Sequence, residues 1–270
     1  MIFLHPKSWN IELLAMSGIL GMMMSITGAY WDIGWHFDYG RDTFWSPPHL
    51  LIYGSAVLAA IFFILNFIIA IRHDLPHKRH ALFVLILFGL ASVGLTFLSA
   101  PIDQLWHWLY GIDVQIMSVP HLMLIFGGIA GGMMIMSILR YHVLHERHRF
   151  LLEKILIPCF FGGALAGMIL VFGESEFTTL PLWHPVQSRP LWVYPLFSVF
   201  CAIAVFAVVK YASILRWSAT ITFFAYVFLR MLPIVNNTLW GMKSVPIVPP
   251  FLPLLLVMAL TIDVLIRRKT

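Results

Sequence analysis

Charge is scarce in this chain. Asp, Glu, Lys and Arg make up 11% of its 270 residues, against about 25% in a soluble domain. Hydrophobic residues make up 60%, and the mean hydropathy is +0.89. A water-soluble globular enzyme is excluded on that balance, and a membrane protein is expected. Cysteine is nearly absent, with Cys159 and Cys201 the two in the chain. Both fall in apolar runs, where a thiol serves as a small apolar residue. That excludes a disulfide framework and a thiolate metal site. The first apolar segment lacks a basic start and a small-residue cleavage site, so it reads as a retained segment and not a cleaved signal.

Eight apolar runs are legible, at about 11–31, 49–71, 81–102, 121–141, 150–173, 191–210, 217–235 and 250–266. Most approach the ~20 residues a helix needs to cross hydrocarbon. Helices are the expected element, because an open strand edge finds no hydrogen-bond partner in lipid. The fold class expected is therefore an all-α integral membrane protein of about eight transmembrane helices arranged as four helical hairpins. With both termini cytoplasmic, 13 Lys and Arg fall on the inner side and Arg41, Arg189 and Lys243 on the outer side, with Arg230 inside a helix. That is a strong positive-inside bias. The pI of about 9.4 then reports topology and anionic-lipid contact, not nucleic acid. A multi-pass protein of the plasma (inner) membrane is expected, with its outer connections facing the periplasm or the exterior.

Those outer connections carry a repeat. The first reads Asp32-x2-Trp35-His36-x3-Gly40-x-Asp42, and the second reads Asp103-x2-Trp106-His107-x3-Gly111-x-Asp113. Each then reaches a Ser-x-Pro-His helix start: Ser46, Pro48 and His49, then Ser118, Pro120 and His121. The third connection keeps Trp183-His184 with Arg189 beyond. The fourth has Asn237-x2-Trp240-Gly241 in the slot of D-x2-W-H. The chain divides into residues 1–141, two hairpins with intact motifs, and 142–270, two hairpins with degenerate ones, all in one membrane domain.

The spacing suits a metal. Asp32 and His36 share a face if the first helix continues outward past the apolar run. Ser46 and the prolines start the next helix, so His49 lies in its first turn and can point back across the hairpin. Asp103, His107 and His121 repeat the arrangement. One carboxylate and two imidazoles per hairpin suit divalent iron, zinc or copper, and open positions on the ion would allow chemistry. Ligand count does not choose among the three metals. Six charged or ionisable groups at the edge of hydrocarbon are expensive unless they have a function. Around them, Asp42 and Asp113 read either as partners orienting the imidazoles or as turn residues. Trp35 and Trp106 read first as interfacial anchors, with hydrogen bonding to the ligands as a further role. Gly40 and Gly111 read as turn residues.

The run Asp32-x2-Trp35-His36-x4-Arg41-Asp42-Thr43, then Pro47-x-His49, resembles the metal motif in the C subunit of copper membrane monooxygenases, the particulate methane, ammonia and short-alkane enzymes. One site of that family is Asp-x3-His-x12-His, as at Asp32, His36 and His49. A second is Asn-x3-His-x13-His, matched by Asp103, His107 and His121 with Asp in the first place. The resemblance covers about residues 20–141. It departs from the family in placing the motifs in the N-terminal half and in lacking the soluble copper-binding domains of another subunit. It implies copper, with iron or zinc left open, and oxygen activation to oxidise a small apolar or amine-like substrate. Lipid, further membrane subunits or a homo-oligomer are the partners it allows. The competing reading is a membrane protein that binds or moves copper or zinc without oxygenase activity.

Other polar residues carry weaker expectations. His184, Glu174, Glu176 and Arg230 are additional site candidates, and Arg230 either snorkels outward or pairs with one of the two glutamates. Asp263 is expected to pair with Arg216 or Arg267. The inner histidines His73, His77, His80, His142, His145 and His148 read as solvated headgroup contacts, with metal delivery as the alternative. Met22, Met23 and Met24 read as packing. Gly127, Gly128, Gly131, Gly132, Gly162, Gly163 and Gly167 suggest close helix contact. Trp31, Phe37, Trp45 and Trp108 are expected to wall the site against water.

Overall fold

A computed structural model describes residues 8–40, 43–72, 80–111, 118–145, 151–170, 177, 192–213 and 215–266. Eight helices lie among them: α1 (Ser8–Tyr39), α2 (Pro47–Arg72), α3 (His80–Tyr110), α4 (Val119–His145), α5 (Leu151–Ile169), α6 (Val193–Ala212), α7 (Ser218–Leu239) and α8 (Leu252–Leu265). The only strand-like pairing among the described residues is an isolated bridge between Phe177 and Pro246. Five helices, α2, α3, the Val119–Tyr141 stretch of α4, α6 and α7, are long and apolar enough to cross a membrane. Phe88, Phe200, Phe224 and Val257 are more than half exposed. Large apolar side chains turned outward suit a lipid surround better than water.

The hairpin expectation holds for the first half, where α1 packs most extensively on α2, and α3 on α4. In the second half α5 packs more on α7 than on α6, so the later helices interleave instead of forming two discrete hairpins. One apolar core joins α1, α5, α6, α7 and α8 around Tyr30, Leu165, Phe206 and Tyr226. A second joins α2, α3, α4 and α5 around Phe62, Phe63, Ile86 and Ile138. Helix α5 contributes to both, and so ties the two halves together.

Asp263 takes Lys210 as its partner and not Arg216, while Arg267 lies outside the described residues. Its Oδ1 accepts from Lys210 Nζ at 2.9 Å, and the same carboxylate accepts from the Ala219 and Thr220 amides and from the Thr220 hydroxyl. A buried acid on α8 therefore caps the first turn of α7, where orphan N–H groups need acceptors. Lys210 also donates to the Arg216 carbonyl.

Candidate metal centre

The motif residues lie on helix, as the spacing requires. Helix α1 runs unbroken through Asp32 and His36 to Tyr39, and α3 runs through Asp103 and His107 to Tyr110. Each ends on a glycine in the left-handed region, Gly40 (φ 76°) and Gly111 (φ 86°). The Gly40 amide donates to the His36 carbonyl and the Gly111 amide to the His107 carbonyl. This is the simple left-handed C-terminal cap, which a side chain at that φ would strain. Gly241 after α7 (φ 65°) has the same conformation.

On the other arm of each hairpin, α2 opens at Pro47 and α4 at Val119, with the Ser46 carbonyl accepting from Leu50 and the Ser118 carbonyl from Leu122. His49 and His121 thus sit in first turns. The Ser118 hydroxyl makes no hydrogen bond among the described residues, so that helix start rests on its backbone and proline. Gly28 lets α1 and α2 meet just below the first site: a Cβ there would lie 2.8 Å from Ile52 and 3.2 Å from the Pro48 carbonyl.

Each aspartate stands between its two histidines. Asp32 lies 3.9 Å from His36 Nε2 through Oδ2 and 3.2 Å from His49 Nε2 through Oδ1. Asp103 lies 3.4 Å from His107 Nε2 and 3.7 Å from His121 Nε2, again with one oxygen for each. All six side chains are largely shielded, the most open being His121 at 21%. The two triads are electrostatic neighbours, since the His121 imidazole acts on the Asp32 carboxylate.

His49 and His107 are oriented from behind. His49 Nδ1 meets the Thr43 carbonyl at 3.0 Å, and His107 Nδ1 meets the Gly111 carbonyl at 3.1 Å. A carbonyl only accepts, so the proton belongs on Nδ1 in both rings. A neutral ring in that tautomer turns a lone pair on Nε2 towards a carboxylate oxygen. Two acceptors in that position need a cation with them, either a second ring proton or a metal ion. Asp32 Oδ1 and Asp103 Oδ1 are both shielded from solvent and lack an aligned hydrogen bond. Among the described residues, no group of three or more His, Cys, Asp or Glu side chains is placed so that it could hold a metal ion.

The surroundings differ in part from expectation. Trp31 is 5% exposed and stacks on Trp240 at 4.7 Å between ring centroids. Trp45 and Trp108, at 71% and 76% exposed, point away and wall nothing. Phe37 packs edge-on against Phe177. Trp35 and Trp106 each lie against a tyrosine one turn on, Tyr39 at 4.6 Å and Tyr110 at 4.5 Å. That pairing extends the repeat to W-x3-Y-G, a signal present in the sequence and overlooked. Asp38 was overlooked as well. Its carboxylate accepts from the Lys243 amide (2.6 Å), the Ser244 amide (3.0 Å) and the Ser244 hydroxyl (2.6 Å), clasping the segment after α7 to the end of α1. Asn237 donates to the Ser244 carbonyl and shares that joint.

Arg230 is 1% exposed and does not snorkel. Its guanidinium lies 4.1 Å from the Tyr30 ring centre and donates to the Ile247 carbonyl. Arg41, Asp42, Asp113, Glu174, Glu176 and His184 lie outside the described residues, as do His73, His77 and His148. No family model, curated protein or solved structure matches the chain.

Proposed function

We propose that this is a multi-pass plasma-membrane protein, with about eight spans and both termini inside. Its outer-face triads, Asp32/His36/His49 and Asp103/His107/His121, would hold a divalent metal, copper foremost. The observation that carries the reading is the anchored imidazole in each triad, whose Nε2 faces a carboxylate oxygen of the same triad at 3.2 or 3.4 Å. Ligands about 2.05 Å from a tetrahedral ion stand about 3.3–3.4 Å apart. The four Asp–His separations, 3.2 to 3.9 Å, straddle that value. A modest inward movement of His36 and His121 would complete each set.

The spacing of the two motifs supports a copper-dependent membrane monooxygenase-like protein, or the metal-binding subunit of one, acting on a small apolar or amine-like substrate. Copper at such residues would supply oxygen activation. The chain's own part is to present the ligands, to fix the imidazole tautomer through Thr43 and Gly111, and to keep the site largely dry. Lipid, a second copy and further membrane subunits are the partners that fit. The open form of both triads favours one second reading, exchangeable binding or transfer of copper or zinc without oxygenase activity.

The test is metal content by mass spectrometry on purified wild type and on two triple variants, Asp32/His36/His49→Ala and Asp103/His107/His121→Ala. Each variant should lose its share of bound copper. Full retention in both would sink the assignment. Copper binding without oxygen-dependent turnover in membranes, even with co-expressed neighbouring subunits, would leave the second reading.

A further inference from the structure

Directly inward of the two triads lies a cavity of about 170 Å³, walled by α1, α2, α3, α4 and α5. Its position follows from helix register. Ala29, Ile52 and Leu124 line it, and they stand three residues from Asp32, His49 and His121 on their helices. Thr96 on α3 lines it seven residues before Asp103. Steps of three and seven residues keep a helix face, so four helices deliver both a cavity wall and a triad residue on one side.

The wall is apolar in effect. Three hydroxyls line it, on Ser25, Ser55 and Thr96, and those of Ser55 and Thr96 are turned back to the Ile52 and Ser92 carbonyls of their own helices. This is the local pairing that hydroxyls make inside helices.

Helix α4 shows that the space is not a packing accident. Its run Gly127-Gly128-Ile-Ala-Gly131-Gly132 places two glycine pairs on adjacent stripes. Gly127 and Gly131 take the role expected of all these glycines, close contact with a neighbouring helix. A Cβ on Gly127 would meet Thr96 Oγ1 at 2.4 Å, and one on Gly131 would meet Ser92 Oγ at 3.1 Å. Gly128 and Gly132 do not: a Cβ on either meets nothing within 4 Å. Gly167 on α5 faces only Ile129, at 3.9 Å. All three line the cavity, Gly132 and Gly167 half-buried along its wall and Gly128 exposed at its rim. Glycine costs a helix about 1 kcal/mol against alanine, and here no packing contact explains it.

We propose that this cavity binds a small apolar molecule, a dissolved gas or a hydrocarbon up to about the size of benzene, with Gly128, Gly132 and Gly167 setting the size limit. An apolar cavity of about 150 Å³ stays dry and takes benzene or xenon, so the volume matches that class. The further statement that the occupant is presented to the triads rests on the metal reading above; binding in the cavity does not.

The test is xenon under pressure in crystals of the purified full chain, located by anomalous scattering, with metal content measured on the same samples. Xenon should occupy the cavity in wild type and be lost in Gly132→Leu and Gly128→Leu. It should persist in Gly94→Leu, a control in open space on α3 that does not line the cavity. Gly132→Ala, the mildest change, should lower occupancy partway. An empty wild-type cavity, an acyl chain or detergent tail that xenon does not displace, or occupancy unchanged by both leucines would overturn the proposal. Xenon retained in the two triad variants while copper is lost supports the cavity separately from the metal. Xenon bound in a wild type that holds no copper would leave the cavity standing and remove the metal reading alone.

Discussion

Removing the Asp38 carboxylate should release the segment after α7 from the C-terminal end of α1. Asp38 receives two backbone amides and one hydroxyl from Lys243 and Ser244, over a sequence distance of more than 200 residues. Hydrogen bonds to a charged group contribute about 1.5–3 kcal/mol each. The joint is only partly buried and water replaces some of what is lost, so a total of about 2–3 kcal/mol for Asp38→Ala is a fair expectation. At about 1.4 kcal/mol per factor of ten, amide exchange at Lys243 and Ser244 should accelerate about 30- to 150-fold. Hydrogen–deuterium exchange on the purified protein reads this directly. Loosening should extend to Trp240, which stacks on Trp31 one residue before Asp32. Exchange at both amides within about two-fold of wild type would refute the reasoning, since an opening energy below about 0.5 kcal/mol is no clasp.

The other predictions concern the frame of the site. Gly40→Val and Gly111→Val should each lower stability by about 1–2 kcal/mol through left-handed strain, seen as a reduced Tm, whereas Gly94→Ala, in open space without positive φ, should be neutral or stabilising. Lys210→Met should cost about 3–5 kcal/mol by stranding the buried Asp263 charge, and adding Asp263→Asn should recover part of it in a double-mutant cycle. Trp31→Ala, at a buried stack, should cost about 3–5 kcal/mol, against well under 1 kcal/mol for the exposed Trp45→Ala. A Tm series over these variants checks all of them.

The part of the site carried by local chain geometry was legible in the sequence. The i, i+4 spacing of Asp32 with His36 and of Asp103 with His107 foretold one helical face, and Ser-x-Pro-His foretold the start that aims His49 and His121. Both follow from helix rise and from proline's missing N–H, which need no knowledge of neighbours. What escaped depends on which distant segments meet. Asp38 drew no expectation because its partners lie after α7. Asp263 was assigned to nearby arginines, but the packing of α6 against α8 brings Lys210 to it instead. The glycines of α4 looked alike in sequence, and only the presence of α3 on one stripe and of empty space on the other separates them. The Tyr39 and Tyr110 repeat was present and simply outweighed by the more conspicuous histidines.

The oriented imidazoles of the two triads, His49 and His107, are braced differently, and that gives them unequal tolerance to changes in chain length. In the first, the oriented imidazole belongs to α2 and its brace, Thr43, belongs to the connection. Deleting or inserting one residue between Thr43 and His49 would therefore turn the ring away from Asp32. In the second, both the imidazole and its brace belong to the end of α3. Length variation in 112–117 leaves His107 aimed at Asp103. The first connection is thus constrained as a ruler for His49, whereas His107 carries its constraint within the end of its own helix.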